Sequence, residues 1–149
     1  MPPFATDFFS EGQSLAAGTD TGLVSSFCKE LNGRKRLGVG EPVFIQSVLG
    51  SALTGSGKDL DVHLAFGDDE ADFTASPTLG PVVSHFDALS AAGTEKIGVI
   101  PDVFVPAGST VFGLVYKGPN GAVTGGTITS ELTLEPGRDV VVPRGDVVG

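Results

Sequence analysis

The sequence predicts an all-β domain, an antiparallel β-sandwich, on the strength of three observations. Gly and Pro are abundant, at 22 and 10 of 149 residues. They recur roughly every eight to fifteen residues, a spacing typical of short strands joined by turns. Several segments between them alternate apolar and polar residues with period two, as half-buried strands do. Helical periodicity is almost absent, and the piece from His85 to Ala92 is too short to predict a helix.

Seven segments carry the strand pattern, and a short run of valines follows them. Leu60 to Phe66 is the clearest, because its even-numbered residues are all apolar while Asp61 and His63 stand between them. The segments are 21–27, 43–49, 60–66, 82–86, 96–100, 110–116 and 127–134, with Val140–Val142 after them. About eight short strands with long connections favour a jelly-roll-like sandwich over an open immunoglobulin-type one.

The chain length is that of one domain with a substantial core. We divide it into an N-terminal arm at 1–20, the β-sandwich at 21–135 and a C-terminal tail at 136–149. No basic residue precedes Lys29 and no long apolar run follows the N-terminus, so the sequence predicts neither a signal peptide nor a membrane span. Cys28 is the one cysteine, which leaves no internal disulfide and no thiolate metal site.

The predicted arm is extended and rich in phenylalanine. Phe4, Phe8 and Phe9 lie between Pro2-Pro3 and Ser10-Glu11-Gly12, and this setting predicts that they are exposed. Exposed aromatic side chains mark contact sites, because their burial is strongly favourable. The arm therefore either folds back on its own domain or reaches a neighbouring molecule, and the sequence leaves both alternatives open.

The charge balance excludes one class of partner. Acidic residues outnumber basic ones 18 to 9, and a net charge of -9 argues against nucleic acid, whose phosphates require Lys/Arg patches. The basic residues have one cluster, Arg34-Lys35-Arg36 after Asn32-Gly33. This cluster is either a solvated turn or a contact for an acidic partner surface.

The stretch Gly55-Ser56-Gly57-Lys58 is similar to the end of a phosphate-binding loop. The first glycine of such a loop would stand at position 52, which is Ala52, and the magnesium-binding hydroxyl would stand at position 59, which is Asp59. A strand pattern follows instead of a helix, so no helix N-terminus is available for an anion. We therefore predict a turn between two strands.

The remaining motifs give no convincing chemistry. Asp20-Thr21-Gly22 is the triplet of aspartic proteases, which pair two such carboxylates, but no hydrophobic strand precedes it and a β-turn is favoured. Asp68–Asp72 is an exposed acidic turn or a calcium ligand set without the usual spacing. His63 and His85 belong to no recognised motif. The sequence predicts no catalytic residue, no metal, no cofactor and no enzyme, with a retropepsin-like protease as the enzymatic alternative.

Four segments, in order, resemble a known family. They are "FSEGQSLAAGTDTGLV", "LGVGEPVFIQSVL", "GKDLDVHLAFGDDEADFTAS" and "VPAGSTVFGLVYKGPNGAVTGGTITSELTL". Together they resemble the capsid cement (decoration) proteins of tailed bacteriophages, the jelly-roll family first described in a Bordetella phage. The resemblance spans roughly residues 8–134. The penultimate strand of that family often carries Arg and Tyr, and here only Leu114 and Tyr116 fit that pattern.

The resemblance implies a structural protein of the virion, made in the host cytoplasm and placed on the outer surface of the phage head. It implies two partners, the major capsid protein and a second copy of the chain in a homo-dimer or homo-trimer, and neither nucleic acid nor a membrane. The residues that we expect at capsid or protomer contacts are Phe4, Phe8, Phe9, Arg34, Lys35 and Arg36. A carbohydrate-binding jelly-roll module is the alternative binder, although the chain has no Trp and one Tyr for stacking on a sugar.

Overall fold

Two antiparallel β-sheets face each other across an apolar core in the computed structural model, which describes residues 8–40 and 42–134. The strands are β1 (Phe8–Ser14), β2 (Leu23–Val24), β3 (Lys29–Glu30), β4 (Arg36–Leu37), β5 (Phe44–Thr54), β6 (Leu60–Gly67), β7 (Thr78–Phe86), β8 (Glu95–Val99), β9 (Val103–Phe104), β10 (Val111–Lys117) and β11 (Gly125–Thr133), with helix α1 (Glu70–Ala75) between β6 and β7. The prediction of an all-β sandwich is confirmed.

The first sheet has the strand order β1-β11-β5-β8, and the second has the order β2-β10-β6-β7. Strand β3 also pairs with β10: β2 lies beside Val115 and Tyr116, and β3 beside Val111 and Phe112. The two short strands therefore form one interrupted edge of the second sheet. A separate two-stranded ribbon joins β4 to β9.

The pairings are nested. When β2 and β3 are taken as one interrupted strand and the ribbon is left aside, the first strand pairs with the last, β1 with β11. The β2/β3 edge pairs with β10, β5 pairs with β8, and β6 pairs with β7. The chain thus follows the path of one long antiparallel hairpin that is folded into two sheets.

Alternation along the strands sets which side chains enter the core. Leu60, Val62, Leu64 and Phe66 of β6 are all at most 1% exposed, as the period-two pattern predicts. β7 begins earlier than expected, at Thr78, and contains Pro81. An edge strand tolerates this proline because a proline lacks the N–H that a central ladder would need.

Helix α1 corrects the prediction that Asp68–Asp72 forms only a turn. The Asp69 carboxylate caps the helix by accepting a 2.7 Å hydrogen bond from the Asp72 N–H. Phe73 is buried against the outer face of the second sheet, where a Cβ added to Gly113 would lie 2.6 Å from the Phe73 Cζ atom. The helix therefore covers part of that sheet, which explains why Val111 to Tyr116 of β10 is buried on both faces.

The first part of the chain that the structure describes corrects a second expectation. Residues 8–14, placed in the arm by sequence, form edge strand β1 of the first sheet. A bulge between Phe8 and Ser10 turns Phe9 into the core, where it is fully buried in an edge-to-face contact with Phe112, with 5.8 Å between ring centroids. The expectation that Phe9 is exposed is therefore wrong. Phe4 and the tail at 136–149 lie outside the described residues.

Candidate interaction surface

The β4–β9 ribbon is fixed to the domain by one face. Leu37 is 5% exposed and belongs to the core, and Val103, its partner in the ribbon, packs against the same core. The Val105 N–H donates to the Lys35 carbonyl at 2.9 Å. Gly38 has φ +77°, and a Cβ there would lie 2.2 Å from the Pro101 carbonyl oxygen, so only glycine fits. The ribbon is thus held closely against the body of the sandwich.

The other face of the ribbon presents Phe104 beside Arg36. The Phe104 side chain is 72% exposed, the largest value among the exposed large hydrophobic residues that the structure describes. The Arg36 guanidinium carbon lies 4.9 Å from the Phe104 ring centroid. Arg36 also donates two hydrogen bonds to Asp102, from Nε at 2.9 Å and from Nη2 at 2.6 Å. These contacts hold both side chains in one arrangement without covering the aromatic ring.

The bonds between Arg36 and Asp102 move the pKa values of both groups. The hydrogen bond to Asp102, with the attraction of its charge, raises the pKa of Arg36. The same hydrogen bond lowers the pKa of Asp102 below its usual value. Both side chains are exposed, so this ion pair orients the guanidinium and contributes little to stability.

Positive charge gathers around this ribbon. Arg34 and Lys35 are exposed next to a turn in which Asn32 has φ 52° and Gly33 has φ 78°. Val39 is 59% exposed on the segment that follows β4. We call this surface the ribbon patch, and its residues are Arg34, Lys35, Arg36, Val39 and Phe104. Three cations stand against the single carboxylate of Asp102 in segments 32–40 and 100–106, on a chain whose net charge is -9.

The structure separates the contact residues that the sequence proposed. Arg34, Lys35 and Arg36 are each exposed where the chain enters the ribbon, Phe8 is half-buried beside Glu131 of β11, and Phe9 is in the core. Whether Arg34, Lys35, Arg36 and Phe8 contact a partner stays a prediction. Sequence reasoning missed Phe104, whose available signal was an isolated phenylalanine between Pro101 and Pro106.

A buried polar network spans the core instead of forming a site. The Tyr116 hydroxyl lies 2.8 Å from the Ser10 Oγ and 3.0 Å from the Ser130 Oγ, and Ser130 lies 2.8 Å from the Ser47 Oγ. Burial raises the pKa of Tyr116 to about 12, and the hydrogen bonds to Ser10 and Ser130 partly oppose that rise. Because Tyr116 is fully buried and is the one tyrosine of the sequence, no tyrosine ring is available at the surface to stack on a sugar.

An open groove crosses the outer face of the second sheet beside helix α1, with a volume of about 380 Å³. Its lining includes Val24, Ala75, Leu79 and Val115, together with two threonines and without an aromatic side chain. Sugar-binding surfaces usually place an aromatic face against the ring of the sugar. The groove therefore adds no support to the carbohydrate-binding alternative.

An ionisable cluster surrounds His85 at the end of β7. The His85 Nδ1–H donates to the Asp61 carboxylate at 2.6 Å, while Nε2 lies 3.5 Å from Asp59 and 3.4 Å from Asp87. The hydrogen bond to Asp61, helped by the three negative charges, raises the pKa of His85. No group of three or more His, Cys, Asp or Glu side chains within the described ranges is arranged to hold a metal ion.

Two motifs from the sequence lie in ordinary turns. The Lys58 N–H donates to the Gly55 carbonyl at 3.0 Å between β5 and β6, which confirms the turn predicted there. The Lys58 ammonium donates to the Asn120 carbonyl at 2.7 Å, so it closes a neighbouring turn. Asp20 of the protease-like triplet is exposed in a turn before β2.

Comparison with known proteins identifies no family. No protein-family model matches the chain, and no curated protein matches its sequence. Over residues 8–40 and 42–134, no helix is long and apolar enough to cross a membrane.

Proposed function

We propose that the protein is a capsid cement protein of a tailed bacteriophage. It binds the outer surface of the phage head as a symmetric oligomer, joins neighbouring major capsid subunits and stabilises the expanded shell. The observation that carries this proposal is the ribbon patch, an exposed phenylalanine with an arginine over its ring, on a ribbon whose entry also exposes Arg34 and Lys35. Such a surface is suited to adhesion between proteins, because aromatic and arginine side chains dominate the energetics of protein interfaces.

The strand pairing supports the jelly-roll part of the proposal. A jelly roll has eight strands in two sheets. With β2 and β3 taken as one strand, the nested pairs β1·β11, β2/β3·β10, β5·β8 and β6·β7 supply eight positions in two sheets of four. This is the connectivity expected of the cement family that the sequence resembles.

The physical role of such a protein requires no chemistry. A protein that binds the expanded shell and not its compact precursor stabilises the expanded state by mass action. Many copies on one shell add weak contacts into a large total, because each bound oligomer links subunits that would otherwise separate. A homo-dimer or homo-trimer multiplies the ribbon patch and so presents several contacts at once. Phe4 and Phe8 remain candidate contacts of the N-terminal segment.

Heat-induced release of DNA from phage heads tests this function. Heads that lack the protein are heated with increasing amounts of the purified full chain, and the temperature of DNA release is followed with a dye. The proposal predicts a saturable rise in the release temperature, whereas the chain inactivated by prior unfolding gives none. A release temperature that does not depend on the protein would contradict the proposal.

A further inference from the structure

We infer that the ribbon patch docks on an acidic protein surface, with Phe104 inserted into an apolar pocket that is rimmed by carboxylates. The most direct assay of this inference rests on the proposed function, because that function supplies the partner. The inference itself concerns the chemistry of the contact, and it holds for any protein partner that offers such a pocket.

Phe104 has the properties of an interface anchor. Its ring is 72% exposed, while its partner strand holds Leu37 in the core on the opposite face of the ribbon. The ring is therefore not buried within this chain, and its burial against a second molecule would be favourable. Val39, 59% exposed on the neighbouring segment, widens the apolar area that such a pocket would cover.

Contacts within the chain hold the centre of the patch. Arg36 lies over the Phe104 ring and is itself fixed by two hydrogen bonds to Asp102. The ribbon beneath is fixed by the close approach of Gly38 to Pro101. These contacts hold Arg36 and the ribbon backbone in one arrangement before docking, and such preorganisation raises affinity.

The charges of the patch specify an acidic rim. Arg34 and Lys35 are exposed beside Arg36, and Asp102 is the one carboxylate in the two segments that build the patch. Arg36 uses its Nε–H and an Nη2–H on Asp102, and a guanidinium carries five N–H donors in all. Carboxylates at the rim of a pocket would meet these cations while Phe104 enters its centre, the arrangement of an apolar core with a polar rim.

A protein partner fits this patch better than a nucleic acid does. Binding to single strands depends on open aromatic faces for the bases and on a groove of cations along the backbone. Here the patch offers one aromatic ring, that of Phe104, with no second ring among its residues for a further base, and the rest of the chain brings the net charge to -9. Phosphate backbones would be repelled by most of this molecule.

The first arm of the test measures affinity for expanded head shells by co-sedimentation with four variants of the full chain. Phe104→Ala removes the anchor, and Arg34→Glu with Lys35→Glu reverses the charge of the rim contact. Leu89→Ala is the matched apolar control, because Leu89 is 63% exposed. Leu89 lies near the end of β5 at Leu53, whose N–H donates to the Ser90 carbonyl. The ribbon lies at the opposite end of β5, where Phe44 pairs with Val99 of β8. Lys96→Glu with Lys117→Glu is the charge control, because it changes the net charge equally at half-buried positions of β8 and β10, outside the ribbon.

We expect Phe104→Ala and the Arg34/Lys35 reversal each to weaken binding on the order of tenfold or more, with both controls close to the original protein. Unfolding midpoints in urea verify that each variant is folded. Shell binding that persists in the original protein but is unchanged by both ribbon variants would overturn this inference and leave the proposed function standing. Failure of the original protein to bind any shell would overturn the proposed function alone.

The second arm does not depend on shells. The photo-crosslinking residue benzoylphenylalanine replaces Phe104 in the full chain, and in the control it replaces Leu89. Each variant is expressed in the cells in which the protein is naturally made. We expect position 104 alone to crosslink, at a peptide that carries Asp or Glu beside apolar residues. Equal crosslinking from both positions, or a basic target peptide, would overturn the inference. So would a nucleic-acid result, in which the original protein binds a single strand of about twenty thymidines and the Arg34/Lys35 reversal abolishes that binding.

Discussion

The Tyr116 hydroxyl lies 2.8 Å from the Ser10 Oγ, although the two residues are 106 positions apart in the chain. Tyr116 belongs to β10 of the second sheet and Ser10 to β1 of the first. The contact is fully buried, so it joins the two sheets through the core by a polar link that continues to Ser130 and Ser47. A hydrogen bond in such a setting helps fix how the sheets sit against each other.

Removing this hydroxyl should destabilise the fold without disrupting its packing. Tyr116→Phe keeps the ring and removes one partner from Ser10 and Ser130, so we expect a loss of about 1–2 kcal/mol in the free energy of unfolding. Urea unfolding measures the loss. The control is Ser51→Ala, which removes an exposed hydroxyl pair with Thr127 and should stay within about 0.5 kcal/mol. Equal effects in the two variants would contradict a special role for the buried link.

The raised pKa of Tyr116 predicts a loss of stability at alkaline pH. The folded value is about 12 and the reference value is 10.0, so the neutral phenol is favoured in the folded state. The contribution is fully present below about pH 10 and is lost as the pH rises from there through about 12. Since the chain has one Tyr and no Trp, tyrosinate absorbance reports this group alone. Ionisation near pH 10 in protein that is still folded would contradict this account.

Phe8 and Phe9 are adjacent, yet their replacement should have very different results. Phe9 is fully buried against Phe112, so Phe9→Ala should cost about 3–5 kcal/mol of folding stability. Phe8 is half-buried at the sheet edge, and Phe8→Ala should cost less than about 1.5 kcal/mol. Chemical denaturation of both variants checks the difference. Similar losses would show that the bulge between Phe8 and Ser10 is not as described.

The cluster around His85 predicts a second pH dependence. The pKa of His85 is raised, first by its hydrogen bond to Asp61, so the charged imidazolium stabilises the fold. This contribution is present below the reference value of 6.5 and is lost as the pH rises above it through the folded pKa. His85→Gln and Asp61→Asn should each flatten the pH dependence of the melting temperature across that window, whereas Glu11→Gln, at an exposed position of β1, should not. An unchanged profile in His85→Gln would contradict the prediction.

The regular strands could be predicted because their burial follows a simple alternation. β6 lies within one residue of its predicted bounds, and β10 and β11 within two. The inward residues of β6 and β10 are apolar, and in β11 the apolar Ile128 and Leu132 stand on either side of the buried Ser130. β1 was missed because its inward residues include Ser10, a polar side chain whose partner is Tyr116. A buried hydroxyl resembles a loop residue until its distant partner is known.

The ribbon and the helix carry too few residues for periodicity to be visible. β4 and β9 have two residues each, and α1 has six, with Asp69 as the cap and Phe73 as its one buried side chain. The basic run at 34–36 was visible because it stands out in an acidic chain. The exposure of Phe104 was not, because tertiary packing decides which face of a short ribbon meets the core.

The central claim is tested most directly by co-sedimentation of the purified protein with matched phage head shells, compact precursors in one series and expanded shells in the other. A cement protein should pellet saturably with expanded shells and not with compact ones, and the plateau gives the number of copies per shell. No pelleting with either form at concentrations above about 10 μM, or equal pelleting with both, would contradict the account.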